Sequence, residues 1–240
     1  MQALFRKAKK YLKIVESTIF EKVTPIENIT YCPCDYKESN VPPHLSNFSP
    51  FKNGEKFGTG NDSHAWFHFN IEIPENMQGK PTELGICTNF DRFGVTTNPQ
   101  FLLYVNGKIC QGMDTRHKEY LLPEGKHFDI YIYAYTGPSI PACQFSAEIR
   151  NVNTVARSFY YDVNTVFEAI QLLDENSQEY MEMLTYIDRA LSMLDLFDVG
   201  SAEYFESLKA AKDYFEKEFY GEYCGKQRST VACIGHTHID

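Results

Sequence analysis

His64-Ala65-Trp66-Phe67-His68-Phe69-Asn70-Ile71-Glu72-Ile73 alternates with a period of two, and this stretch sets the fold class. Ala65, Phe67, Phe69, Ile71 and Ile73 fall on one face and His68, Asn70 and Glu72 on the other, so the segment reads as a strand with one side on a core. Pro74 ends it. Shorter segments of the same kind follow at 83–88, 101–105, 108–111, 118–122, 128–135 and 144–152. Asn106-Gly107 lies between two of them and accepts the positive dihedrals of a type I′ turn, which predicts a tight hairpin. About seven short strands with frequent turns predict an antiparallel β-sandwich.

Upstream, residues 31–56 are rich in Pro, Asn, Ser and Gly and read as irregular connection. The first residues read as an amphipathic helix, with Leu4, Ala8, Tyr11, Val15 and Ile19 at helical spacing, docked on the body of the protein rather than lying on a membrane. Past residue 153 the period switches. Val166, Ile170 and Leu173, then Met183, Leu184, Ile187, Leu191 and Leu194, then Tyr204, Leu208, Ala211 and Phe215 step at three or four residues, which predicts three helices. Asn176 with Glu179 is the expected cap of the second, and Ser201 that of the third. A polar spacer at 221–228 leads to an apolar strand at 229–234, whose natural sheet partners are expected beyond residue 240.

The totals exclude some functions. A net charge of -9 and a pI near 5.3, without a long Lys/Arg block, argue against a nucleic-acid partner. No apolar run approaches the ~20 residues of a membrane helix, and no signal peptide is recognisable. The seven cysteines are odd in number and scattered, in a chain large enough to do without disulfides, so a reducing, cytoplasmic setting is expected.

The chemistry is concentrated in His236-Thr237-His238-Ile239-Asp240, directly behind Val231-Ala232-Cys233-Ile234-Gly235. In an extended chain alternate side chains share a side, so two imidazoles and a carboxylate converge at the mouth of a strand. These are zinc donors, although a complete site takes three or four protein ligands. A metallo-β-lactamase or an amidohydrolase could use such a motif, but the former would place several strands before it, where this chain places helices. A surface turn with chance histidines is the bland alternative.

Residues 229–240 resemble the opening strand of the catalytic domain in the family 38 glycoside hydrolases, the retaining alpha-mannosidases. Gly58-Thr59-Gly60 leading to Ala65-Trp66-Phe67, the strand ending at Ile73-Pro74, and Leu103-Tyr104-Val105-Asn106-Gly107 leading to Gln111-Gly112-Met113-Asp114 with His117 are similar to the N-terminal sandwich of cytosolic and bacterial members. The resemblance implies a mainly β fold with helices. A leading helix and a galactose-binding or jelly-roll-like sandwich would occupy 1–152, a helical connector 153–228, and the first strand of a truncated α/β barrel 229–240. It implies zinc as cofactor, His238 and Asp240 as metal ligands, and His236 as a supporting or substrate-facing residue. The nucleophile and the acid/base are expected downstream, so the chain alone should be inactive. Alpha-mannoside glycans or oligosaccharides are the implied partners, without nucleic acid or membrane, and a homo-oligomer is left open. A stand-alone carbohydrate-binding module remains the main alternative.

Other residues read more blandly. Cys32-Pro33-Cys34 lacks the two-residue spacing of zinc knuckles and reads as chance thiols. Asp114 and His117 read as a loop network that satisfies backbone groups rather than a sugar contact. Trp66, Tyr131, Tyr133 and Tyr135 could form a sugar-stacking platform, yet the three tyrosines share one side of their strand, and that side is expected to be core.

Overall fold

A computed structural model describes residues 2–36, 42–58, 60, 62–88, 98–138 and 142–226. The chain divides into two compact units, residues 20–152 and a helical unit built from residues up to 19 and from 153 onward.

The first unit is a sandwich of antiparallel sheets. Its strands are β1 (Phe20–Pro25), β2 (Thr30–Cys34), β3 (Ser49–Pro50), β4 (Lys56–Phe57), β5 (His64–Glu72), β6 (Thr82–Cys87), β7 (Gln100–Val105), β8 (Lys108–Met113), β9 (Glu119–Leu121), β10 (His127–Tyr135), β11 (Cys143–Gln144) and β12 (Ser146–Val152). One sheet has the order β3-β2-β5-β10-β7-β8, the other β1-β12-β6-β9, and β4 with β11 form a small third ladder. Between them lies a continuous core of alternate strand positions, including Phe67, Phe69 and Ile71 of β5, Leu84 and Ile86 of β6, Leu103 of β7, Ile130 and Ile132 of β10, and Ala147 and Ile149 of β12. Phe145, fully buried, stacks on Phe67 at 3.9 Å and separates β11 from β12, where the sequence reads one continuous strand. Asn106 and Gly107 have φ of 51° and 75°, as the hairpin between β7 and β8 requires.

Several strands depart from the expected pattern. Most of β2, all of β3 and the first residue of β4 lie in the stretch read as irregular, and β1 precedes it. β1 is an edge strand, mostly exposed, so it carries no alternation to read. In β2, Pro33 argues against a strand, but β3 pairs only with Thr30 and Tyr31, leaving Pro33 where β2 is itself an edge.

The second unit contains α1 (Gln2–Ser17), α2 (Thr154–Ala169), α3 (Gln178–Ser192) and α4 (Ala202–Tyr214), the last continued by a π-helical segment, Phe215–Tyr223. α1 belongs here and not with the sandwich: Ala8, Leu12 and Val15 are buried, Phe5 stacks on Phe167 of α2 at 4.6 Å, and Lys7 pairs with Asp188 of α3 at 2.7 Å. Ser201 caps α4 as expected, accepting from the Tyr204 N–H. The cap of α3 is Ser177, whose hydroxyl accepts from the Tyr180 N–H at 3.2 Å, and not Asn176. Asn176 is instead turned back on Asp174, to which its backbone and side-chain nitrogens both donate.

Candidate functional site

The candidate metal ligands His238 and Asp240, with His236 beside them, lie outside the described residues, as does the apolar strand before them. Among the described residues no group of three or more His, Cys, Asp or Glu side chains is placed to hold a metal ion. The donor set itself, an imidazole and a carboxylate with a second imidazole nearby, is chemically suited to zinc.

Asp114 and His117 come together at the turn after β8. The Asp114 Oδ1 accepts from the backbone N–H groups of Arg116 and His117, each at 2.7 Å, and from His117 Nδ1 at 3.1 Å. Partial burial pushes the Asp114 carboxyl upward, but the two backbone donors and the His117 ring together hold it below the usual carboxylate range. One carboxylate oxygen thus organises the turn, and His117 is largely exposed. This is the loop network the sequence predicts.

The tyrosines of β10 overturn the expectation set for them. Ile130, Ile132 and Ala134 face the core, so Tyr131, Tyr133 and Tyr135 stand on the outer face of the six-stranded sheet, each partly exposed. Antiparallel pairing aligns them with β5, opposing Tyr131 to His68, Tyr133 to Trp66 and Tyr135 to His64. On the other side β10 pairs with β7, which sets Tyr104 beside Tyr131. A second cluster of Cys32, Trp66 and Tyr104 results, with Phe48, Leu102, Tyr131 and Tyr133 packed against it. Trp66 is fully buried under Tyr104 and Tyr133, both at 5.4 Å.

Polar groups are interleaved with these rings. His68 Nε2 donates to Asp129 Oδ1 at 2.7 Å, and its ring lies 4.4 Å from that of Tyr131. His64 Nδ1 hydrogen-bonds the Tyr133 hydroxyl and its ring stacks on Tyr135 at 4.8 Å. Burial and the nearby Asp129 charge both raise the Tyr131 phenol above its ordinary value, so it is a hydroxyl donor at neutral pH. His68 lies on the face of β5 that reads as polar, whereas Asp129 and Tyr104 lie on strand faces whose residues do not distinguish outside from core.

Residues 23–164 match the family model described as alpha-mannosidase, jelly roll domain. Alpha-mannosidase 2C1 of Mus musculus is 24% identical over 217 residues, 81% of this chain and 19% of that relative. The chain therefore spans about a fifth of the length of this relative. Among solved structures, the β-glucuronidase of Ruminococcus gnavus in complex with D-glucaro 1,5-lactone aligns with 55% of this chain and 30% of its own, at 10% identity and a TM-score of 0.37. The same enzyme with uronic isofagomine gives 0.38 at 9% identity, covering 55% and 28%, and both likenesses are too partial to speak for the fold. The family match covers more than half of the chain and takes in nearly all of the sandwich, and the chain accordingly belongs to the family 38 alpha-mannosidases that carry this jelly-roll domain.

Proposed function

We propose that this chain is part of a zinc-dependent retaining alpha-mannosidase that hydrolyses alpha-mannosidic bonds in glycans or oligosaccharides, and that it contributes the accessory sandwich and two of the zinc ligands. The observation carrying this reading is the jelly-roll match over residues 23–164, joined in sequence to a His-x-His-x-Asp motif behind an apolar strand. His238 and Asp240 would hold the metal, and His236 would support them or face substrate. When bound, zinc supplies a Lewis acid and template for adjacent sugar hydroxyls.

A retaining glycosidase also needs two carboxyl groups roughly 5 to 5.5 Å apart, one attacking the anomeric carbon and one protonating the leaving oxygen. We assign neither role to a residue of this chain, which by itself should be inactive. A reducing, cytoplasmic setting is supported by the odd number and scattered positions of the seven cysteines. Within those residues no helix is long and apolar enough to cross a membrane. A homo-oligomeric assembly is compatible with this reading.

The test is an assay of the full-length protein on an aryl alpha-mannoside. Turnover should fall by at least about a hundredfold on chelation and in Asp240→Ala, as expected when a metal ligand is lost, and zinc should restore the chelated wild type only. Full activity of Asp240→Ala, or turnover indifferent to chelator, would remove the zinc assignment.

A further inference from the structure

The outer face of the six-stranded sheet has no part in the chemistry above, yet it concentrates groups that a solvated sheet face does not need. Its floor is Trp66, fully buried, with Tyr104 only 8% exposed, and Tyr131 and Tyr133 stand partly open around it. Beside them Asp129 keeps nearly half of its side chain in solvent while one oxygen is held by His68 at 2.7 Å. We propose that Trp66, Tyr104, Tyr131, Tyr133, His68 and Asp129 form a non-catalytic binding site for an uncharged sugar chain, with the Tyr131 ring and hydroxyl and the Asp129 carboxylate making the direct contacts.

Three features select this occupant. Aromatic side chains offer an apolar body with a polar tip, which suits a ring that has C–H groups on its faces and hydroxyls at its rim. The site holds one carboxylate, half in solvent, on a chain that carries -9, so an anionic partner would be repelled, whereas the hydroxyls of an uncharged ring can donate to the free Asp129 oxygen. The open part of the cluster is also narrow: Trp66 and Tyr104 are buried, and Tyr131, Tyr133 and Asp129 stay partly open, a span suited to one or two sugar rings. That the sugar is mannose rests on the mannosidase reading.

The chain carries a single tryptophan, Trp66, at the centre of the proposed site, so its fluorescence reports binding without a label. The 240-residue chain is titrated with an alpha-linked mannotriose, chelator being present to silence the terminal motif, with cellotriose as the comparison sugar. A saturable change in Trp66 emission with mannotriose is expected. It should weaken about tenfold in Tyr131→Ala and in Asp129→Asn, a loss of about 1.4 kcal/mol, while Tyr131→Phe, which keeps the ring and loses the hydroxyl contact, weakens it less than Tyr131→Ala, and circular dichroism shows all three variants folded. No saturable change with mannotriose, or unchanged affinity in both Tyr131→Ala and Asp129→Asn, overturns the site. Hydrolysis by the full-length protein is measured in parallel. Turnover without this binding discards the site and keeps the mannosidase, and binding without turnover does the reverse.

Discussion

Asp114 shows how one carboxylate oxygen can organise the turn that carries it. Its carboxylate is held below its ordinary value because the charged form accepts from two backbone donors and one ring. A depressed carboxyl adds stability that is fully present above the unfolded-state value and is lost as pH falls through the lower folded-state value. Asp114→Asn should therefore lower stability at neutral pH, where that contribution is present, and flatten the acid limb below about pH 4, measurable as urea midpoints across that range. Glu83 poses the harsher case. It is fully buried on β6, 2.6 Å from Arg150 Nη2 of β12, and the same guanidinium lies 4.2 Å over the Phe20 ring. Removing Glu83 leaves the mostly buried Arg150 with only the longer contact to Glu148 at 3.7 Å, so Glu83→Ala should cost about 3 kcal/mol in equilibrium unfolding. Gly85→Ala should act in the same direction and more weakly, because the new methyl would lie 2.7 Å from Arg150 Nη2 and push the guanidinium off its partner.

At the scale of the element, the start of α3 distinguishes a cap from a cap-like residue. Asn176 with Glu179 fits the spacing, but Ser177 is extended at φ -71° and ψ 151° and puts its hydroxyl on the Tyr180 N–H. Ser177→Ala should destabilise the helical unit by about 1 kcal/mol, while Asn176→Ala changes it by a few tenths at most. Thermal melts followed at a helical wavelength separate the two, and equal losses would contradict the observed cap. The strands teach a similar lesson. β5, with its period of two, is legible as a strand from its letters, whereas β1 and β2 are held by cross-strand pairing that no local pattern announces.

At the scale of the whole molecule, the core of the sandwich is drawn entirely from residues between Ile26 and Ile149. The segment 20–152 should fold by itself, with Trp66 emission as blue-shifted as in the full chain. The helical unit takes its elements from both ends of the sequence, and α1 contributes Ala8, Leu12 and Val15 to it. Deleting residues 1–19 should therefore lower the melting of the helical signal, by the several kcal/mol expected for emptied core positions, and leave the sandwich transition in place. A uniform loss of both signals would contradict the division into two units.

The sequence by itself determined the fold class, the hairpin at Asn106-Gly107 and the helical run after residue 153, because each is written in local spacing. Only the tertiary structure decided which side of β10 is the inside. Both of its faces are apolar enough to be core, Ile130, Ile132 and Ala134 on one and Tyr131, Tyr133 and Tyr135 on the other, and periodicity cannot choose between two apolar faces. The opposing sheet chose, by packing β6 and β12 against the aliphatic side, and so left the tyrosines with Trp66, His68 and Asp129 on the outer face. The same reason explains α1, whose amphipathic stripe is plain in sequence but whose partners, α2 and α3, lie on the far side of the sandwich in the chain and only folding brings them together.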